Sequence, residues 1–194
     1  MSDKISHLKK LMSEASGKIM ESSAANISAW LGENFLPEWA VDALVELFEE
    51  GRYEEIDDRF FRFLAFGTGG MRGRTIGKSP AMAELGRQSE QGTPEHAAVG
   101  ANNMNDFNVV RATMGLFNYC KSHLGAVGGV PKLAVAYDVR HFSKRFGELA
   151  ASVWARMGGE TFRVLYAEEK SGICGALYVR AVLEKEEKDD GNGA

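Results

Sequence analysis

The run LAVAYD, from Leu133 to Asp138, decides the fold class of this chain. Its uninterrupted apolar residues are typical of a β-strand that is buried on both faces of a sheet. A helix with a broad apolar face is predicted before it, closing at Gly125, and Asn105, Asp106 or Asn108 is the expected cap. The strand is therefore expected to follow this helix after a turn that continues through Gly128-Gly129.

A second helix is predicted after the strand, with Ser143 as its expected cap and Gly158-Gly159 as its stop. Residues Thr161 to Tyr166 then read as another strand, and the apolar run that begins at Phe63 reads as an earlier one. The order is strand, loop, helix, strand, helix, strand. This alternation predicts an α/β sheet with helices on its faces, whose ligands bind where the strands end.

The N-terminal third predicts structural helices that precede this sheet. The first is expected over residues 3–21, because its apolar residues recur at helical spacing, and Ser22-Ser23 is expected to break it. A short helix follows around Ile27 to Leu31. Pro37 suits the start of a third helix, from about Glu38 to Glu50, and Gly51 suits its end.

The polar segment from Ser79 to Asn105 is predicted to be a long surface loop or insertion, with a little helix near Ala81 to Gln88. Before it, Asp57-Asp58-Arg59 is an acidic cluster beside two phenylalanines, which predicts a half-buried helix edge with a solvated face. A metal site is not expected there, because adjacent carboxylates on a helix point in different directions.

Composition and charge exclude several classes of protein. The net charge of -4 leaves no basic excess of the kind that nucleic-acid binding needs. The two cysteines, Cys120 and Cys174, imply no disulfide framework. No apolar run suits a secretory signal or a membrane span, so a cytoplasmic location is expected.

The stretch FLAFGTGGMRGRTIGK, from Phe63 to Lys78, raises the question of an anion site. Gly77-Lys78-Ser79 resembles the end of a phosphate-binding P-loop. That motif needs four residues between its glycines, whereas three separate Gly73 from Gly77, and Arg72 occupies the position that should be glycine. The dinucleotide pattern of three glycines fails at Arg72 too, so both nucleotide motifs are rejected.

The glycine loop still has the parts of an anion site. Glycines allow successive backbone N–H groups to turn towards one point, and an arginine fork matches two phosphate oxygens. The candidate residues are Thr68, Gly69, Gly70, Arg72 and Gly73. From this pattern alone, a glycine-rich turn with an exposed arginine is slightly favoured over a binding site.

A second polar cluster, Asp138, Arg140 and His141, follows the LAVAYD strand. Asp138 and Arg140 lie on the same side of an extended chain, so an ion pair between them is expected. A bracing role for that pair is favoured over direct catalysis. Histidine is the natural proton carrier near neutral pH, although a lone histidine such as His141 is more often structural.

Four segments together resemble the first domain of the α-D-phosphohexomutases, which include phosphoglucomutases and phosphomannomutases. They are FGTGGMRG at 66–73, VVRATMGLFNY at 109–119, AYDVRHFS at 136–143 and Met157-Gly158-Gly159. Each motif is weak by itself, but their order and spacing are specific. The resemblance covers roughly Trp39 to Tyr166.

The resemblance implies a three-layer α/β/α domain with a mixed sheet, normally the first of four domains around a cleft. Family members transfer a phosphoryl group between a serine and a hexose phosphate, with Mg²⁺ beside the phosphoserine. The loop from Thr68 to Gly73 would line the active site, and Arg72 would stabilise phosphoryl oxygens. Asp138, Arg140 and His141 would support the same cleft.

The chain departs from the family after Tyr166, where a Thr-Ala-Ser-His-Asn-Pro loop with the phosphorylated serine is expected. The magnesium, sugar-binding and phosphate-binding segments are absent too, and Asn103 replaces an arginine that is common in the family. The predicted domains are a helical extension at 1–55, a truncated domain I at 56–183 with an insertion around 79–104, and a charged disordered tail at 184–194.

Three functional hypotheses follow from this comparison. The favoured one is a phosphohexomutase-like protein present as its first domain, inactive alone, with glucose and mannose phosphates not distinguished. The second is a non-catalytic module that binds a sugar phosphate or docks to the remaining mutase domains. The third is a truncated or frameshifted gene product.

Overall fold

The structure is a computed structural model, which describes residues 1–67, 70–124, 128–163 and 178–182. The chain divides into two compact units, Met1–Asn108 and Val109–Ala194. The domain boundaries predicted at residues 55 and 183 stay predictions, and the predicted disordered tail lies outside the described residues.

The first unit is mostly helical. Its elements are the helices α1 (Ser2–Glu14), α2 (Glu21–Gly32), α3 (Glu38–Glu49), α4 (Tyr53–Phe60) and α5 (Met82–Leu85), and the strands β1 (Phe66–Gly67) and β2 (Gly70–Met71). Helix α3 is central, because it packs against α1, α4 and α5, while α2 packs on α4. One apolar cluster runs through these helices.

Helix α3 shows why the amphipathic pattern predicts this part well. Pro37 immediately precedes the helix, and Gly51, with a φ of 64°, follows its end. Leu44, Leu47 and Phe48 are buried as the helical spacing predicts. The predicted bounds of this helix are confirmed to within one residue.

The predicted break between the first two helices is wrong. Helix α1 ends at Glu14, and Ser22-Ser23 lies inside α2. The chain instead turns at Gly17, whose φ of 77° lies in the left-handed region that glycine adopts easily. A backbone conformation, and not the polarity of the serines, therefore separates the helices.

The segment from Ser79 to Asn105 is not the surface loop that its polarity predicts. Ala81, Glu84, Val99 and Ala101 are all buried. The little helix predicted near Ala81 to Gln88 is confirmed as α5, Met82–Leu85. The strand predicted from Phe63 is also wrong in extent, since β1 has only two residues and Phe66 is 69% exposed. Just before β1, the Leu64 N–H donates to the Ala101 carbonyl of the buried segment at 2.7 Å.

The second unit contains a small sheet with helices. Its elements are α6 (Asp106–Leu124, which begins in the first unit), β3 (Lys132–Ala136), α7 (Ser143–Arg156), β4 (Glu160–Arg163) and β5 (Tyr178–Val182). Strand β3 is central, with β4 parallel and β5 antiparallel to it. Opposite Leu133, the register places Thr161 of β4 and Ala181 of β5.

The core of this unit lies on one face of β3. Leu133 and Val135 are buried against side chains of α6 and α7, namely Phe117, Cys120, Ala151 and Trp154. Lys132, Ala134 and Ala136 are only half-buried, so the prediction of a strand buried on both faces is wrong. Burial raises the pKa of the Cys120 thiol, because the thiolate loses its hydration.

The described chain is mostly helical with a small sheet, and the helix–strand order of the second unit agrees with the α/β class. The three-layer arrangement stays a prediction. No helix in the described part of the chain combines the length and apolarity that crossing a bilayer requires.

Candidate functional site

The described residues of the glycine loop begin in a short hairpin. Strands β1 and β2 pair antiparallel, with Phe66 opposite Met71 and Gly67 opposite Gly70. Gly70 has a φ of 113°, which side-chain-bearing residues rarely adopt. Of the predicted binding residues, Thr68 and Gly69 lie outside the described residues.

Arg72 and Gly73, which follow β2, differ in their surroundings. Arg72 is exposed, as an anion-binding side chain needs to be. A Cβ atom on Gly73 would lie 3.0 Å from both the Asn102 carbonyl oxygen and the Met104 nitrogen. Glycine is therefore needed at this position for close backbone packing, whatever its role in binding.

Backbone hydrogen bonds fasten both sides of the glycine loop to residues 98–104, which we call the anchor segment. The Met104 N–H donates to the Arg74 carbonyl at 2.8 Å, and the Ala98 N–H donates to the Thr75 carbonyl at 2.9 Å. On the other side, Leu64 donates to Ala101. The ends of the loop are thus held by one piece of chain.

The anchor segment rests on a buried charge cluster that the sequence patterns did not predict. Arg59 of α4 is fully buried, and its Nε donates to Glu55 Oε1 at 2.7 Å. Its Nη1 and Nη2 donate to the two carboxylate oxygens of Glu84, at 2.5 and 3.2 Å. We call Glu55, Arg59 and Glu84 the buried triad.

The remaining donors of Arg59 bind backbone carbonyls. Its Nη1 donates to Val99 at 3.4 Å and its Nη2 to Ser79 at 3.2 Å, so that all five guanidinium N–H directions have an acceptor. The Glu55–Arg59 spacing of four residues on a helix was a usable signal. No local sequence pattern links Glu84 to Arg59, because 25 residues separate the two.

The Gly77-Lys78-Ser79 sequence covers this triad. A Cβ atom on Gly77 would overlap Arg59 Nη2 and Glu55 Oε1. Lys78 pairs with Asp58 at 3.3 Å, and the Ser79 carbonyl accepts from Arg52 as well as Arg59. Glycine is needed at residue 77 because the buried Arg59 guanidinium leaves no room for a side chain. Its presence therefore has a structural reason that does not involve a P-loop.

Gly77→Ala is expected to lower the free energy of unfolding by about 1–3 kcal/mol, because the added methyl group overpacks the buried triad. Urea denaturation followed by circular dichroism measures the change. Gly115→Ala is the control, since nothing lies within 4 Å of its Cβ position on helix α6. That control is expected to stabilise by about 0.5–1 kcal/mol. Equal effects of the two substitutions would contradict the packing role of Gly77.

Two asparagines hold the other side of the anchor segment. Asn105 Nδ2 donates to the carbonyls of Ala98 and Gly100, at 3.0 and 2.9 Å. Asn108 Nδ2 donates to Gly100, Ala101 and Asn103. Because Asn105 Oδ1 accepts from the Asn108 N–H at 3.0 Å, Asn105 also caps α6, which was one of the predicted alternatives.

The Asp138 cluster belongs to the second unit, where β3 ends. The predicted pair is confirmed: Asp138 Oδ1 accepts from the Arg140 N–H at 2.8 Å and Oδ2 accepts from its Nε at 3.2 Å. The predicted cap is wrong, because Phe142 is the N-cap of α7 and Ser143 is inside the helix. The Ser143 hydroxyl instead accepts from the Asp138 N–H at 3.0 Å, which braces the turn.

Arg140 and Phe142 line a shallow depression of about 500 Å³ in the second unit. Asp138 and the α7 residues Lys144, Arg145 and Glu148 line it too, so groups of both charges border the depression. His141 is exposed and is not part of this lining. The supporting roles of Asp138, Arg140 and His141 stay predictions.

A metal centre requires several ligand side chains close together. Within residues 1–67, 70–124, 128–163 and 178–182, no three or more His, Cys, Asp or Glu side chains come together in a way that could hold a metal ion. The described residues therefore do not fit the Mg²⁺ that the family resemblance implies.

Comparison with known proteins supports the resemblance over part of the chain. A sequence profile described as phosphoglucomutase/phosphomannomutase, alpha/beta/alpha domain I, matches residues 88–168. The match takes in the anchor segment, β3 and α7, while the glycine loop precedes it. No curated protein and no solved structure gave a significant match. The predicted resemblance is thus confirmed, and residues 88–168 of this chain are similar to domain I of the phosphoglucomutase and phosphomannomutase family.

Proposed function

We propose that this chain is a phosphohexomutase-like protein whose glycine loop binds the phosphoryl group of a hexose phosphate. The domain I profile match over residues 88–168 is the observation that carries the proposal. A three-layer α/β/α arrangement with a mixed sheet is the expected form of that domain. Arg72 is the residue proposed to contact the phosphoryl oxygens.

The geometry around Arg72 suits an anion. Its guanidinium is exposed, charged and planar, so it can donate two parallel hydrogen bonds to a phosphate. Arg74 adds a second exposed cation nearby in sequence, only loosely paired with Asp58 at 3.7 Å. The anchor segment holds the loop ends in place, which lowers the entropy that ligand binding must overcome.

Phosphoryl transfer needs more than this loop. In the proposed reaction Arg72 offsets the negative charge on the transferring group. The 194 residues contain no Ser-His-Asn-Pro sequence to carry a phosphoserine, and the described residues do not fit Mg²⁺. Mutase turnover is therefore not expected from these residues alone. Docking to further mutase domains and a cytoplasmic location remain predictions from the resemblance.

Arg72→Ala is expected to weaken binding of glucose 1-phosphate and mannose 1-phosphate by roughly 10- to 100-fold. The reason is that hydrogen bonds to charged groups contribute about 1.5–3 kcal/mol. Calorimetric titration of the 194-residue chain measures the change. Arg87→Ala is the matched control, because Arg87 is an exposed arginine of the same unit and lies outside the loop.

Three results would contradict parts of the proposed function. The absence of binding heat for the wild-type chain, or equal affinity for wild type and Arg72→Ala, would remove the binding role of the loop. A coupled assay for glucose 1-phosphate conversion supplies the second test. Turnover above the Arg72→Ala blank would contradict the expectation that these residues are inactive alone.

A further inference from the structure

We propose that Glu84 is a positioning residue for the glycine loop, acting through Arg59 and the anchor segment. The inference rests on the proposed function, since it concerns the affinity of that loop for a phosphoryl group. Glu84 lies on α5, outside the loop and before the residues that match the family profile. Its influence is therefore indirect, through three consecutive sets of contacts.

The first set fixes Glu84 itself. Both of its carboxylate oxygens are fully engaged, and the side chain is 1% exposed. Oε1 accepts from Arg59 and from the Val99 N–H at 2.9 Å. Oε2 accepts from Arg59 and from the Ala81 N–H at 3.0 Å. Four donors thus converge on one carboxylate. A neutral amide of the same shape would place its NH₂ group against two of these donors.

The second set passes from the buried triad to the anchor segment. Both backbone groups of Val99 are held, because its N–H donates to Glu84 and its carbonyl accepts from Arg59. The Asn102 N–H also donates to the Arg59 carbonyl at 2.8 Å. A Cβ on Gly100 would lie 2.9 Å from Arg59 Cβ, so the segment lies directly on α4. The anchor segment cannot move without disturbing the triad.

The third set passes from the anchor segment to the loop. Gly73 packs against the Asn102 carbonyl and the Met104 nitrogen, and Arg74 and Thr75 accept hydrogen bonds from the segment. Arg72 directly precedes these pinned residues. A displacement of the segment is therefore transmitted to the Arg72 backbone and to the direction of its guanidinium.

Glu84→Gln is the substitution that separates these effects. Glutamine keeps the size of the side chain but replaces one acceptor oxygen by an NH₂ group, which would face N–H donors on Arg59 and on the backbone. The anchor segment must then shift to relieve the contact. We expect Glu84→Gln to weaken the binding of inorganic phosphate and glucose 6-phosphate at the loop by about 5-fold or more.

The control variant must lower the stability without removing any contact between Glu84, Arg59, the anchor segment and the loop. Leu8→Ala serves, because Leu8 is a fully buried residue of α1 in the apolar cluster of the same unit. Both variants of the 194-residue chain are titrated at a temperature where circular dichroism shows them folded. Leu8→Ala is expected to lower the melting temperature and leave the Kd for phosphate unchanged. A folded Glu84→Gln chain with wild-type affinity would overturn the inference.

Amide hydrogen exchange gives a readout that needs no ligand. The Ala98 and Met104 amides, which donate to Thr75 and Arg74, are expected to exchange faster in Glu84→Gln. The Ala15 amide, which donates to Leu11, is expected to keep its wild-type rate. If wild type binds no phosphate, the proposed function fails, and these exchange rates alone decide the positioning role. Unchanged exchange at Ala98 and Met104 would overturn it.

Should Glu84→Gln fail to fold, Glu84→Asp replaces it. Aspartate keeps the charge and the two acceptor oxygens but is one methylene shorter. We expect weaker phosphate binding and faster exchange at Met104, in the same direction as for glutamine but smaller. Wild-type values for both measurements in Glu84→Asp would also contradict the inference.

Discussion

Arg59→Ala is expected to lower the free energy of unfolding of the first unit by about 3–5 kcal/mol. The substitution leaves the carboxylates of Glu55 and Glu84 buried, at 6% and 1% exposed, without the cation that lies between them. The Val99 carbonyl loses its guanidinium donor as well, and the Ser79 carbonyl keeps only that of Arg52. Removing one partner of a buried ion pair lowers the stability by more than the intact pair contributes, because the other charge stays buried without a partner.

Urea denaturation, with amide exchange to assign the loss to residues 1–108, measures this effect. Lys78→Ala is the matched control, because Lys78 also forms an ion pair, with Asp58 at 3.3 Å, but is 55% exposed. An exposed pair contributes about 0–1 kcal/mol, so the control is expected to be nearly neutral. If Arg59→Ala and Lys78→Ala were equally mild, the buried triad would not hold the anchor segment.

Trp154→Ala is expected to lower the free energy of unfolding of the second unit by about 3–5 kcal/mol. Trp154 is fully buried on α7, and its ring meets that of Phe117 edge-on, with centroids 5.1 Å apart. Its Nε1 donates to the Pro131 carbonyl at 3.0 Å. A Cβ atom on Gly159 would overlap the indole. Residue 159 is therefore a glycine, which has no side chain to fill the cavity that Trp154→Ala leaves.

Trp154→Phe separates the two contributions of this residue. Phenylalanine keeps an aromatic ring in the core but removes the indole donor, so the Pro131 carbonyl keeps only the Glu160 N–H at 3.0 Å. The loss of this one hydrogen bond is expected to lower the free energy of unfolding by about 0.5–1.5 kcal/mol. Phe162→Ala is the control, since Phe162 is 52% exposed, and surface substitutions usually stay within about 0.5 kcal/mol. A loss for Trp154→Ala no larger than that for Phe162→Ala would contradict this account of the core.

Periodic patterns predicted much of the fold because they are local. The third and seventh helices and strand β3 follow from apolar spacing and from flanking Pro and Gly residues. The Asp138–Arg140 pair was equally accessible, since both groups lie within three consecutive residues.

Predictions failed where polarity was taken to mean exposure. Glu84, Asn103 and Asn105 gave residues 79–105 the appearance of a surface loop, yet all three are buried. Each buried polar side chain needs a partner, and a local pattern does not reveal one that lies elsewhere in the chain. Arg59 was read as part of a solvated helix edge for the same reason.

The sequence by itself determined the ordered motifs that resemble domain I of the phosphohexomutases, the spacing that rules out a P-loop, and the helices with strong amphipathic periods. Only the tertiary structure decided that Gly77 covers a buried guanidinium and that Glu84 reaches the loop through Arg59 and the anchor segment. The physical reason is that Arg59 and Glu84 are 25 residues apart. A charge is stable in a protein interior only when folding brings its partner to it.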